Sequence, residues 1–336
     1  MKKIPFVTTS EIGTNKINDL EKLRKDIICN FFGKNENKVI FYDHHKCHAL
    51  HGLYTQSIAK KLNRIVLATS DGGGDGAYDS VSIFEKGKIE LLSQSRTSLI
   101  GKIYAQITLL LGMNPHRHPY KVMGLAPYAQ EHHKKGPREV FCNSLVVDGL
   151  TFKKDKKMKD FFFYFKEKLK PFRFDGIAGG LQDFTEQRLS EWFSEMYKVT
   201  NCNNFIFTGG VANNVKANKV IVESNFVKNF YVPAGPGDEG LSIGAAFCCL
   251  YEKNHKKFAY IPLKNAFLSD NSTIKDLQIF ESNRLIKSKF KKIKNCSLSK
   301  IANIIRKGEI IGIFGSDSIG DFSCKFKSFR NFDGSE

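Results

Sequence analysis

Twice in this chain a short run of branched and aromatic residues breaks into glycine. "RIVLATS" (64–70) passes into "DGGGDG", and "NFIFTGG" (204–210) passes into "VANNVKAN". Apolar runs this short, closed by glycine, read as buried strands rather than helix segments. Helical patterns separate and follow them: 100–111, about 176–200, "VANNVKANKVIVES" and "LSIGAAFCCLYEK". Strands alternating with helices predict an α/β protein. "AYDSVSIFEKGKIELLSQS" (77–95) adds two strands turning at Lys86-Gly87, and "KNFYVPAGPGDEG" a strand and loop. "KVIFY" (38–42) reads as a strand leading into a helix over 44–62, whose apolar stripe is Cys47, Leu50, Tyr54, Ile58 and Leu62. Residues 129–170 form a basic connector without a clear pattern. Beyond Tyr260 the composition changes, and a helix at 297–307 precedes the strand "EIIGIFG" (309–315).

A chain of 336 residues is long enough for two domains. No apolar run approaches the roughly 20 residues that span a bilayer, and "MKKIPFVTTSEIG" lacks the apolar stretch of a secretory signal. A cytoplasmic location is expected. The eight cysteines, Cys29, Cys47, Cys142, Cys202, Cys248, Cys249, Cys296 and Cys324, are scattered without a CxxC pair. That argues against a structural zinc site or a disulfide framework. The net charge of +18 could attract nucleic acid or other anions. Lysines spread over solvated faces are the preferred reading, because no nucleic-acid-binding motif accompanies the lysine-rich runs.

Three stretches could carry chemistry. In "YDHHKCHAL", His44 and His48 are four apart, so on a helix both imidazoles leave one face and could bind one ion. His45 points about 100° away. No glutamate completes an HExxH pattern, and polar residues on a helix surface remain the alternative. In "SDGGGDG", Asp71 ends a strand and could add an oxygen ligand, while Gly72, Gly73 and Gly74 allow backbone amides to approach a ligand. A hairpin turn with solvated aspartates is the plainer reading. Gly209 and Gly210 lie between strand and helix, where their amides could line a phosphate or ribose pocket. Asp238 and Glu239, just before a helix, could be no more than an acidic N-cap.

Taken in order, HHxxHA, DGxGD, "YKVMGLAPYA", "GGVANNVKAN" and "GPGDEGLSIGAA" resemble the O-carbamoyltransferase family. That family includes the nodulation-factor, tobramycin and cephamycin carbamoyltransferases. The resemblance spans about Val39 to Leu250. It implies an actin/Hsp70-like ATPase (ASKHA) fold over residues 1–255, followed over 256–336 by a linker and the start of a YrdC-like C-terminal domain. It further implies a divalent metal held by His44, His48, Asp71 and Asp238, with Fe²⁺ the first choice and Mn²⁺ or Zn²⁺ the alternatives. By the same resemblance, Gly72, Gly73 and Gly74 form a phosphate-side turn, and Gly209, Gly210 and Asn214 an adenosine-side motif. Lys121 faces phosphate or acceptor, or is a surface lysine.

The implied reaction uses ATP and carbamoyl phosphate to make carbamoyl-adenylate, then moves the carbamoyl group to a hydroxyl of a small molecule or sugar in a biosynthetic pathway. His45 is a candidate general base, with an exposed or supporting role as the alternative. Two departures are visible. Nothing before Lys38 resembles the family's opening Gly-His-Asp-Ser-Ser-Ala segment, and Phe322, near the retained Gly320, stands where the family has arginine. The fold is therefore expected to be incomplete, with a YrdC-like activity supplied by a separate subunit. A non-enzymatic remnant that binds metal or nucleotide is one alternative, and tRNA threonylcarbamoyl-type modification is another. Nucleic acid is not the expected partner.

Overall fold

A computed structural model describes residues 17–33, 39–56, 61–97 and 99–254, then 262, 282–284, 288, 297–308, 311–312 and 328–329. The chain divides into two compact units, Met1–Leu263 and Lys264–Glu336.

The first unit has a mixed α/β fold. After helix α1 (Ile17–Phe32) and helix α2 (His44–Tyr54), strand β1 (Arg64–Gly74) starts a meander with β2 (Ala77–Glu85) and β3 (Lys88–Ser95). The β2–β3 turn falls at Lys86-Gly87 as the sequence predicts, both residues taking positive φ. Helices α3 (Ile100–Leu110), α4 (Pro119–Leu125) and α5 (Glu131–Ser144) follow, then a hairpin of β4 (Leu145–Asp148) and β5 (Thr151–Lys154). Helices α6 (Phe161–Leu169) and α7 (Phe174–Thr200) lead to β6 (Asn204–Thr208), α8 (Val215–Val222), β7 (Asn229–Tyr231) and α9 (Leu241–Asn254). The main sheet has the order β3-β2-β1-β6-β7, with β1, β6 and β7 parallel and β2 antiparallel to both neighbours.

Alternation along β1 and β6 builds a core on each face of the sheet. Ile65, Leu67 and Ile206 pack with Leu50 and Leu53 of α2 and with Phe247 and Cys248 of α9. Val66, Ala68, Phe205 and Phe207 face the larger cluster, in which Trp192, Phe193 and Phe184 of α7 are fully buried. The apolar runs therefore read as strands because both of their faces are covered.

Four sequence expectations need correction. Residues 39–42 of "KVIFY" form no strand; Ile40 and Phe41 are exposed, and no neighbouring strand offers the run a ladder. The helix from His44 ends at Tyr54, where the Thr55 N–H bonds the His51 carbonyl; Ile58 lies outside the described residues. Strand β1 runs on through the glycines to Gly74, with an irregular register after Ser70. The basic connector is ordered, its α5, β4, β5 and α6 burying Phe141, Phe152 and Phe165 in the larger core.

In the second unit, helix α10 (Leu298–Arg306) is capped by Ser297 and agrees with the sequence reading. Two-residue strands β8 (Ile311–Gly312) and β9 (Ser328–Phe329) pair antiparallel. Gly320 and Phe322 lie outside the described residues. Among the described residues, no helix is long and apolar enough to cross a membrane.

Asp79 makes a testable exception to the apolar sheet. It stands opposite Ser70 and Ser95, is fully buried, and has no hydrogen-bond partner for either carboxyl oxygen. Burial pushes its pKa from 3.8 up to about 8. A carboxyl raised in this way favours the fold fully only below its unfolded pKa, and that contribution is lost as pH rises through the folded value. Asp79→Asn removes the ionisation. In urea unfolding the variant should gain on wild type steadily between about pH 4 and 8, by up to about 5 kcal/mol. A difference that stays flat over that range refutes a buried, unpaired carboxyl.

Candidate metal centre

The first turn of α2 is fixed from two directions. The Asp43 carboxylate accepts from the Lys46 N–H at 2.7 Å as the N-cap, and Asp75 Oδ2 accepts from the His44 N–H at 2.8 Å. These caps start the helix at His44, so His44 and His48 sit one turn apart on the face turned toward the end of β1. Their Nε2 atoms are 3.1 Å apart. Gly74 lies so close to the His44 ring that a Cβ would overlap it.

Asp71 comes from the end of β1. Its Oδ2 lies 2.9 Å from His44 Nε2 and 3.5 Å from His48 Nε2, while its Oδ1 accepts from the Gly210 N–H at 3.1 Å. Gly209 has φ +90° and no room for a side chain, because a Cβ would overlap the Ser70 carbonyl oxygen. Its own N–H donates to the Pro236 carbonyl at 2.8 Å. That bond ties the end of β6 to the loop carrying Asp238, which opens a 3-10 turn, Asp238–Gly240. Asp238 Oδ1 is 3.6 Å from both histidine Nε2 atoms.

The four donor atoms therefore lie within 4.8 Å of one another. Donors bound to one ion at ~2.1 Å stand ~3.0–3.4 Å apart at octahedral or tetrahedral angles. The separations from the two histidine nitrogens, 2.9–3.6 Å, are close to that, so two nitrogens and two oxygens could hold a divalent cation. Three of the four side chains are largely enclosed. The side chains of His48, Asp71 and His44 are 0%, 12% and 13% exposed, whereas Asp238 is 70% exposed. The charges are strongly linked. Burial opposes a charge on His48, but the Asp238 and Asp71 carboxylates outweigh it and push its pKa up to about 9. Burial also opposes the Asp71 carboxylate, yet hydrogen bonds from His44 and His48 hold it well below the usual carboxylate range.

The other candidates are placed differently. His45 is buried, with Nδ1 2.7 Å from Thr69 Oγ1, which in turn meets Ser80 Oγ at 2.8 Å. A general base must reach the proton it takes. This ring ends on the sheet instead, and burial lowers its pKa. Lys121 is exposed on α4. Asn214 caps α8, accepting from the Ala217 N–H at 3.0 Å, and exchanges two 3.0 Å amide hydrogen bonds with Gln182. Gly72 is exposed, and Gly73 has φ +131°.

Sequence reasoning missed three contributors. Asp75 accepts from the first N–H of α2, Gly101 of α3 packs against the Asp71 carbonyl, and His51 is wholly buried under Gly240. Burial lowers His51 to about 4, which keeps the ring neutral at pH 7. Only the aspartate carried a readable signal, since it follows the glycine run.

Residues 16–247 match the family described as Carbamoyltransferase N-terminus. An uncharacterised protein of Methanocaldococcus jannaschii is 30% identical over 234 residues, covering 67% of this chain and 43% of that one. Nodulation protein NolNO of Sinorhizobium fredii is 23% identical over 235 residues, covering 68% and 34%. This chain thus spans less than half the length of these relatives. A solved structure of HypF from T. kodakarensis superposes with a TM-score of 0.38 at 13% identity, covering 70% of this chain and 39% of that one.

Proposed function

The chain belongs to the carbamoyltransferase N-terminal family, and on that premise we propose that it transfers a carbamoyl group from carbamoyl-adenylate, made from carbamoyl phosphate and ATP, to a hydroxyl of a small molecule or sugar. Residues 1–255 are its metal- and nucleotide-binding domain, and a YrdC-like activity supplies the adenylate. What carries this reading is the meeting of His44, His48, Asp71 and Asp238 beside two glycine turns, at donor distances that suit one divalent ion.

The chemistry explains why such a site is needed. A hydroxyl is a weak nucleophile, and a carbamoyl carbonyl is deactivated by resonance with its nitrogen; adenylation provides the leaving group. A divalent ion held by the four donors supplies positive charge for a phosphate or carbonyl oxygen. Iron(II) is the first choice, with Mn²⁺ or Zn²⁺ as alternatives. The Gly210 N–H keeps Asp71 aimed at the histidines. The glycines at Gly72–Gly74, on the end of β1, and at Gly209–Gly210 leave backbone, rather than side chains, to face a nucleotide.

The test supplies the full chain with Fe²⁺, carbamoyl-adenylate and a panel of sugars and aminoglycosides, and looks for carbamate esters by mass spectrometry. A carbamoylated hydroxyl supports the proposal; metal binding without transfer to any acceptor identifies a binding remnant. The +18 charge favours one other reading, modification of tRNA. It requires tRNA retention that weakens steeply between low and moderate salt.

A further inference from the structure

Cys47 of α2 and Cys248 of α9 face each other across a helix pair, with 3.9 Å between their sulfurs. They are far apart in sequence, and both are buried, at 4% and 0% exposure. The helices that carry them touch through backbone. A Cβ on Gly244, one turn before Cys248, would overlap the Cys47 carbonyl oxygen and lie 2.6 Å from its carbon. Backbones this close give the two thiols no room to part. The adjacent Cys249 has a different partner, a hydrogen bond with Tyr42. The metal site takes nitrogen and oxygen donors only, so neither sulfur is occupied there.

We propose that Cys47 and Cys248 form a site of reversible two-electron oxidation, closing to a disulfide that clasps α2 to α9. The sulfurs must approach by about 2 Å to reach the S–S bond length of ~2.05 Å. Rotation of the two side chains provides that movement. The oxidant is hydrogen peroxide. The Cys47 sulfur, the less enclosed of the two, attacks one peroxide oxygen; the O–O bond breaks, giving a sulfenic acid and water. The Cys248 sulfur then attacks the Cys47 sulfur, the S–S bond forms, the S–O bond breaks and a second water leaves. The two thiol protons depart in those waters, and the peroxide gains the two electrons. A dithiol reductant reverses the bond.

The clasp bears on the metal centre through position alone. Cys47 lies between the ligands His44 and His48, and α9 begins directly after the turn that holds Asp238. A disulfide joins these two ligand-bearing pieces covalently and restricts their separation in the unfolded chain as well.

The experiment treats the full-length chain with a small excess of hydrogen peroxide in buffer containing a chelator. The chain is then unfolded, alkylated and mapped by peptide mass spectrometry. The expected product is two hydrogens lighter, contains one cross-linked peptide pair joining Cys47 to Cys248, and melts several degrees higher until dithiothreitol is added. Cys248→Ala should lose the cross-link and the melting shift together. Because the cross-link is read in the wild-type chain, the result does not depend on how well the variant folds. Three outcomes overturn the proposal: sulfinic or sulfonic acids on separate cysteines, a cross-link through Cys249, or both Cys47 and Cys248 still alkylated after treatment.

Discussion

Asp71→Asn will weaken binding of a divalent ion by at least about 100-fold, equivalent to about 2.7 kcal/mol. The substitution keeps the side chain's size and its acceptance from the Gly210 N–H. It replaces the oxygen 2.9 Å from His44 Nε2 by an NH₂ group, which can neither ligate nor balance charge. Among the described residues, no further carboxylate, histidine or cysteine joins the four donors. Asp75, the nearest carboxylate in sequence, is committed to the helix N-terminus through its hydrogen bond to the His44 N–H. Asp75→Ala therefore serves as the contrast, with a loss of about 1 kcal/mol of stability, the usual worth of a cap. Titration calorimetry with Fe²⁺, Mn²⁺ and Zn²⁺ reads both variants. Unchanged stoichiometry and affinity in Asp71→Asn would mean that the four donors are not a ligand set.

Gly209→Ala will destabilise the first unit by about 2–5 kcal/mol. A residue with a Cβ pays roughly 1–2 kcal/mol to hold a left-handed backbone, and forcing atoms into a filled space adds roughly 1–3 kcal/mol. Both apply here, since φ is +90° and the new methyl would collide with the Ser70 carbonyl. The damage extends to binding. Relief requires β1 and β6 to separate where Asp71 leaves the sheet, and the Gly209 N–H bond to Pro236 transmits the movement to the Asp238 loop. Urea unfolding and metal titration should fall together. A stability change below about 0.5 kcal/mol, within the range of an ordinary surface substitution, would show that the contact yields freely.

How much of this was legible in the sequence depends on distance along the chain. The spacing of His44 and His48 is local, and helix geometry alone put both imidazoles on one face. The joining of Asp71 to Asp238 is not local. It depends on β1 pairing in parallel with β6 and on the loop after β7, which no spacing rule reports. The residues alone offered Asp71 as a further oxygen ligand, but only the resemblance placed Asp238 with the histidines. His45 shows the opposite limit: its direction away from His44 was readable, but its target, Thr69 of β1, was not. "KVIFY" failed as a strand because its composition says nothing of a partner. The connector at 129–170 failed to declare itself because most of its lysines are exposed while single residues, Phe141, Leu145, Phe152 and Phe165, anchor its elements in the core. Glycine was the most informative residue type throughout, marking the β2–β3 turn and both approaches to the ligands.

The four donors are unevenly exposed: His44, His48 and Asp71 are largely enclosed, and Asp238 is the one that water reaches freely. A cation held by all four would therefore meet an incoming molecule most readily on the Asp238 side.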